Sequence, residues 1–384
     1  MRGTADVVVV GGGVVGASAS YHLAAAAAGS VLLLEREDQL GTGSTGACAG
    51  GYRHQFSSEI NIRLSLASVP MITGFAEEHG LPLDVTQDGY LFMVRSADSW
   101  DEFLASVELQ RSLGVAVEVL TPEEAARLVP GISTDAMIGA TFGPEDGIAD
   151  PSGLTLGYAT LARRAGADLQ TGVEVLGIDV SGDRVVGVST SKGPVAAPVV
   201  VNAAGPWAAQ LASTAGVDLP VDPVARQVVV TGPFPGSPTR RTLVIDAGTT
   251  FYFHREGEGV LMGMGAEDED PSFDTRVDET FIAEELLPTA VRVFPPLEAA
   301  DLRHRWAGLY EMTPDRHPSI GEAPDVEGLY LANGFSGHGF QHAPIVGKLL
   351  AEMILEGGPR TADVSSLGLD RFSHGRVVPE RRVV

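Results

Sequence analysis

Short apolar runs alternate along the chain with stretches whose apolar residues recur every three or four positions, a pattern that predicts an α/β protein. Val7-Val8-Val9-Val10 is a β-branched run. It is followed by Gly11-Gly12-Gly13-Val14-Val15-Gly16, the helix-prone residues 17–28, and a second apolar run, Val31-Leu32-Leu33-Leu34, closed by Glu35. The order reads strand, tight turn, helix, strand, a βαβ unit of about 30 residues. Residues 57–80 have helical composition, with Ile60, Leu64, Ala67 and Met71 spaced as one buried stripe. A strand is expected over 90–94, a helix over 99–113, and another helix opening at Pro122 with Thr121 as its cap. Residues 152–165 read as helix, and 173–188 as a hairpin turning at Ser181-Gly182-Asp183. Residues 199–205 return to a buried strand that ends in small residues.

Residues 221–310 are richer in proline and in strand-like segments (227–231, 249–254 and 260–264), which predicts a mostly antiparallel second domain. A last strand at 329–333 leads into Gly334-Phe335-Ser336-Gly337-His338-Gly339 and a helix from about Pro344 to Glu356. The resulting expectation is α/β (α+β overall), with a discontinuous nucleotide-binding domain made of residues 1–80, 147–220 and 311–384. Residues 81–146 and 221–310 form the second, substrate-binding domain.

Composition narrows the function. A chain of 384 residues, 44% hydrophobic, can bury the cores of two domains. No run of eighteen apolar residues escapes charge or glycine, and Met1-Arg2 leads into a strand-like run without a cleavage-site pattern, so we expect no membrane span and a cytoplasmic protein. The single cysteine, Cys48, excludes an intramolecular disulfide framework and any multi-cysteine metal site, and no metal is expected. With a net charge of −24, a polyanion such as nucleic acid would meet repulsion. Only two lysines occur, Lys192 and Lys348, which limits any mechanism that needs one.

Candidate chemistry begins at Gly11-x-Gly13-x-x-Gly16. The first glycine permits the tight turn, the second lets the backbone approach a pyrophosphate, and the third allows close helix–strand packing. The phosphate would then meet the open N–H groups of a helix N-terminus. Glu35 ends the second strand, where its carboxylate can accept hydrogen bonds from ribose hydroxyls. An acid there argues against NADP, although the neighbouring Arg36 weakens that exclusion. The motif alone does not separate FAD from NAD.

The sequence also resembles the D-amino acid oxidase family of flavoproteins, which includes glycine oxidase, sarcosine oxidase and the β subunits of amino-acid dehydrogenases. The resemblance runs from Asp6 to Lys348. It rests on the N-terminal fingerprint, Gly43-Ser44-Thr45-Gly46, Asn202-Ala203-Ala204-Gly205-Pro206-Trp207, Met312-Thr313-Pro314-Asp315 and Gly334-Phe335-Ser336-Gly337-His338-Gly339-Phe340. Residues 49–56 and 61–64 look closest to the branch with proline and dimethylglycine dehydrogenases and sarcosine oxidase. The resemblance implies a non-covalent FAD. Gly11, Gly13, Val15, Gly16, Ser44 and Thr45 would lie beside its pyrophosphate, Glu35 and Arg36 at the ribose, Val173 and Gly205 along the adenosine half, and Gly308, Gly337, His338, Gly339, Phe340 and Gln341 around the flavin.

On the substrate side, Arg53 matches an arginine that binds the substrate carboxylate, a task suited to its bidentate fork. Tyr252 matches a tyrosine over the flavin, and His54 and His254 are further pocket candidates. Three departures matter. Tyr310 stands where glycine oxidase-like members carry an arginine. Gly308 falls where sarcosine oxidase has a flavin-linking cysteine, which excludes covalent attachment by that route. Gln341 replaces a substrate-binding lysine, and no lysine lies between Gly257 and Glu267. The resemblance implies oxidation of the C–N bond of a small amine or amino acid by hydride transfer to flavin N5, giving an imine. The electron acceptor would be oxygen, or a quinone or protein partner if the chain is a dehydrogenase. A non-catalytic flavin-binding assembly factor, an NAD-dependent enzyme, and a homo-oligomer or heteromeric subunit stay open.

Overall fold

The computed structural model describes residues 3–266 and 270–382. Residues 1–2, 267–269 and 383–384 lie outside the described residues; they include Met1-Arg2, the end of the lysine-free stretch at Glu267, and both ends of the expected domain division. Among the described residues a six-stranded sheet runs in the order Ser319–Glu322, Leu329–Asn333, Val199–Asn202, Val7–Val10, Val31–Leu34, Asp168–Gln170. All neighbours are parallel except the edge strand Ser319–Glu322. Strand Val7–Val10 sits between the other two apolar runs, with Val7 opposite both Val199 and Val31. Both faces are covered: Val8, Val10, Leu32 and Leu34 point into one core, and Val7, Val9, Val31 and Leu33 into another. That two-sided burial is why these strands read as unbroken apolar runs.

The second large sheet has eight strands, in the order Leu302–Met312, Asp222–Thr231, Gly259–Met264, Tyr252–Glu256, Leu243–Asp246, Tyr90–Val94, Gly139–Gly143, Glu118–Leu120. It is antiparallel except where Leu243–Asp246 pairs parallel with Tyr90–Val94. Leu91 and Met93 face one core, while Tyr90 and Phe92 face another that also holds Tyr252 and Leu243. A three-stranded sheet contains the expected hairpin, Val175–Ser181 and Arg184–Thr190, closed with Ser181 opposite Arg184. Thr121 caps the helix Pro122–Leu128 through a reciprocal pair: its hydroxyl accepts from the Glu124 N–H (3.2 Å), and the Glu124 carboxylate accepts from the Thr121 N–H (2.8 Å).

Two helices differ from the sequence reading. The segment 57–80 is two helices, Glu59–Thr73 and Phe75–His79, joined at Gly74. Of the expected stripe only Leu64 is fully buried, while the polar Asn61, Ser65 and Ser68 of Glu59–Thr73 are buried completely. The other helix begins at Gly339 rather than near Pro344, which lies inside it. Pro344 has no N–H to give the Phe340 carbonyl, and Ser68 inserts into the next rung of the ladder. Its hydroxyl donates to the Gln341 carbonyl (2.6 Å) and accepts from the Ile345 N–H (3.4 Å).

Candidate active site

A cavity of about 790 Å³ runs between the parallel sheet and the eight-stranded sheet, from Glu35 at one end to Arg53 at the other. The turn after Val7–Val10 forms its floor. A β-carbon on Gly11 would strike the Ala203 carbonyl, and one on Gly16 the Gly11 carbonyl, so only glycine allows this approach of backbone to backbone. Helix Val14–Ala25 has no side-chain cap, and its ladder starts where the Ala17 N–H reaches the Gly13 carbonyl (2.9 Å). The N–H groups before that point have no partner within the helix. The Val14 N–H meets Thr45 Oγ1 at 3.2 Å. Thr45, as acceptor there, keeps its own proton for an anionic oxygen. A second uncapped helix, Gly339–Glu356, also opens on the cavity, through Gly337, His338, Gly339 and Phe340.

Glu35 borders the cavity, and its carboxylate accepts from the Gly12 N–H (2.6 Å) and the Glu37 N–H (2.9 Å). The Val173 N–H is committed to the Glu35 carbonyl (2.8 Å), so any backbone contact from Val173 to a ligand must use its carbonyl. Arg36 pairs with Glu37 (3.1 Å) and lies 3.6 Å above the ring of Trp207, which stacks on Phe273. That stack walls the Glu35 end and occupies the arginine that could have served an extra phosphate. Gly205 and Val15 line the same half, whereas Gly16 lies beneath the surface. The Ser44 hydroxyl donates to the Leu309 carbonyl (2.6 Å) and so ties its loop to strand Leu302–Met312. A β-carbon on Gly308 would lie 2.6 Å from Ala47 Cβ, and one on Gly337 would overlap the Tyr310 ring.

At the other end stand Arg53, Tyr90, Tyr252, Tyr310, Cys48, Arg226 and Gln341. Arg53 is buried with its guanidinium 3.9 Å over the Phe56 ring, and its two terminal nitrogens donate to the carbonyls of Gln55 and Arg382. Among the described residues no carboxylate forms an ion pair with it. Burial lowers its pKa, with nearby acids and phenols partly offsetting the effect. Gln341 is bound at both ends of its amide to the backbone of Arg53, accepting from its N–H and donating to its carbonyl, each at 3.0 Å. Its place is thus to hold Arg53.

His54 does not line the cavity: Asp146 accepts from its backbone N–H and meets Nδ1, both at 2.8 Å. His254 also stays outside, against the carbonyls of Ala49 and Arg255. Burial raises the phenols of Tyr90, Tyr252 and Tyr310, pushes the Cys48 thiol up to about 11, and drives His338 well below its ordinary value. All therefore stay neutral near pH 7.

Sequence reasoning did not single out Arg226, Glu311, Tyr90 or the segment 377–382. Arg226 lies on Asp222–Thr231, 5.0 Å from the Tyr310 ring. Burial raises the Glu311 carboxyl to about 7, against hydrogen bonds from the Gly334 and Phe335 N–H groups that lower it. No motif marks these positions; pairing of Asp222–Thr231 with Leu302–Met312 brings the first two to the site. No helix among the described residues is long and apolar enough to cross a membrane, and none of their His, Cys, Asp and Glu clusters could hold a metal ion.

The model of the FAD dependent oxidoreductase (DAO) family matches residues 6–353. FAD-dependent oxidoreductase domain-containing protein 1 of Xenopus laevis is 32% identical, over 92% of this chain and 79% of its own length. Mitochondrial sarcosine dehydrogenase of Homo sapiens is 31% identical over 97% of this chain, which spans 42% of that longer protein. The crystal structure of L-proline dehydrogenase from P. horikoshii superposes with a TM-score of 0.90 at 33% identity, covering 98% of this chain and 99% of that one.

The residues present fit FAD. Two uncapped helix N-termini suit its anionic groups, the glycine turn leaves room for them, and the buried Nε2 of His338, at the cavity wall, has no hydrogen-bond partner among the described residues.

Proposed function

We propose, on the premise that this chain belongs to the family of FAD-dependent oxidoreductases and uses FAD as its cofactor, that it oxidises the C–N bond of a small carboxylated amine, of the sarcosine or proline type. The observation that carries the reading is Arg53: a buried arginine that lines the cavity, its guanidinium hydrogen-bonded on the protein side only to carbonyls. A buried cation that no carboxylate contacts is costly to hold, and a substrate carboxylate would offset that cost. In the same reading residues 1–80, 147–220 and 311–384 hold the cofactor, and 81–146 with 221–310 shape the substrate pocket.

FAD, when bound, supplies the acceptor for the hydride that leaves the substrate carbon. The protein's part is to orient and to keep neutral. Arg53 fixes the carboxylate and hence which carbon faces the acceptor. The neutral walls of Tyr90, Tyr252, Tyr310 and His338, with the positive charges of Arg53 and Arg226, favour the unprotonated amine. Its lone pair forms the C=N bond as hydride departs. No side chain need remove a carbon-bound proton, and water then hydrolyses the imine.

The test is the absorption spectrum of the FAD-loaded protein under anaerobic conditions, before and after sarcosine, dimethylglycine, L- and D-proline and glycine. Bleaching by a carboxylated amine and not by the matching decarboxylated amine supports the reading. Indifference to the carboxylate refutes it. Readmitting oxygen then separates an oxidase from a dehydrogenase with a quinone or protein acceptor. A yellow protein that no amine bleaches would point to an assembly factor.

A further inference from the structure

We propose that the segment 377–382 is a positioning element of the substrate site, with Glu380 and the backbone of Arg382 holding Arg53 in register; this rests on the reading of Arg53 as the carboxylate clamp. Both residues are buried although the segment carries charge. One Glu380 carboxylate oxygen accepts from the Ser57 N–H (2.9 Å), the Ser57 hydroxyl (2.5 Å) and the Arg382 N–H (2.9 Å). The other accepts from the Ser58 N–H (3.0 Å), the Ser58 hydroxyl (2.6 Å) and the Asn61 amide (3.2 Å). Ser58 caps helix Glu59–Thr73 by position but makes no side-chain capping bond. Glu380, more than 300 residues away in sequence, supplies the anion that this helix start needs.

The consequence for Arg53 is direct. Once Glu380 is seated, the Arg382 carbonyl accepts from an Arg53 terminal nitrogen. The Arg382 side chain anchors that turn, its guanidinium 3.4 Å over the Phe103 ring and one nitrogen 3.3 Å from the Ser106 hydroxyl. The Glu380 N–H, meanwhile, reaches the Asp315 carbonyl (2.9 Å), in the loop after strand Leu302–Met312. Arg53 is thus gripped from three sides: Gln341 on its backbone, Phe56 beneath its plane, and Arg382 on its edge. A guanidinium has five N–H donors, so two carbonyl contacts leave donors for a ligand while fixing the plane in which they lie.

The experiment measures acetate binding to the FAD-loaded protein, read as a perturbation of the flavin spectrum, in wild type, Glu380→Ala, Arg382→Ala and Arg53→Met, with the melting temperature of each. Glu380→Ala and Arg382→Ala are expected to weaken acetate by about tenfold while keeping their flavin, because the clamp survives without its aim. A merely structural segment would lower the melting temperature and leave acetate binding, measured well below it, unchanged; that result overturns the inference. So does loss of flavin from both variants, which would show the segment holding the fold rather than Arg53. If Arg53→Met also binds acetate like wild type, the reading of Arg53 itself has failed. If only Arg53→Met weakens it, the clamp stands and the positioning role does not.

Discussion

Replacing Glu311 by Gln should make the protein more stable above neutral pH, and the structure gives both the sign and the size. The carboxyl accepts from the Gly334 and Phe335 N–H groups, its Oε2 is buried without a partner, and burial dominates, raising its pKa from 4.5 to about 7. Folded and unfolded chains are both protonated below pH 4.5. Between 4.5 and 7 the unfolded chain ionises and the folded one resists, so stability falls as pH rises through this window and levels off above 7. A gap of that width corresponds to roughly 3 kcal/mol. Glu311 borders the cavity, whose solvent screens part of the effect, and about 2 kcal/mol is expected to remain. Glutamine cannot ionise but still accepts from both N–H groups. Urea unfolding at fixed excess FAD, from pH 5 to about 8, should give wild-type and variant curves that separate with rising pH, the variant being the more stable. Parallel curves would refute the assignment of a raised carboxyl, and a variant that loses ground at high pH would refute the sign.

Other expectations follow from single contacts. Gly337→Ala puts a methyl into the Tyr310 ring at a left-handed backbone position, so flavin content after purification should drop sharply while the far-ultraviolet circular dichroism stays that of wild type. Ser68→Ala removes the bridge between the Ile345 N–H and the Gln341 carbonyl and should cost about 1–2 kcal/mol in urea unfolding; an unchanged midpoint would show that the helix beside Pro344 needs no such support. Glu35→Gln loses the charge on the acceptor of the Gly12 N–H and should weaken FAD by about tenfold in a fluorescence titration, with equal affinity counting against the placement of Glu35 at the cofactor.

The elements legible in the sequence are those whose cause is local. Val7–Val10, Val31–Leu34 and Val199–Asn202 are buried on both faces and show it as unbroken apolar runs, and the Thr121 cap depends on residues three apart. Hairpin Val175–Ser181 with Arg184–Thr190 is likewise decided by its own turn. Misreadings arise where the deciding partner is far away. Helix Gly339–Glu356 is supported beside Pro344 by Ser68, which reaches in from another helix. The buried face of Glu59–Thr73 includes Asn61, Ser65 and Ser68 beside its apolar residues because it meets Gln341, His342 and Glu380, and an apolar stripe cannot reveal that. For the site, the fingerprint and the glycine segment before Gly339 pointed to residues that line the cavity. Arg53 was visible as a residue type but not its carbonyl partners, and the pairing of Asp222–Thr231 with Leu302–Met312 that brings Arg226 and Glu311 in leaves no periodic trace. His54 is adjacent to Arg53 in sequence, yet Asp146 turns it away.

The strand order of the parallel sheet also constrains how this protein is made. Its central strand, Val7–Val10, leaves the ribosome nearly two hundred residues ahead of its neighbour Val199–Asn202, and Leu329–Asn333 follows later still. Pairings this distant close slowly, because a long loop must be ordered before any contact rewards it. The nascent chain therefore carries an unpaired, wholly apolar strand edge until Val199–Asn202 emerges, and the walls of the cavity are complete only when residues 337–341 emerge. Production of active material should thus depend more on chaperone capacity during translation than on how much flavin the cell supplies.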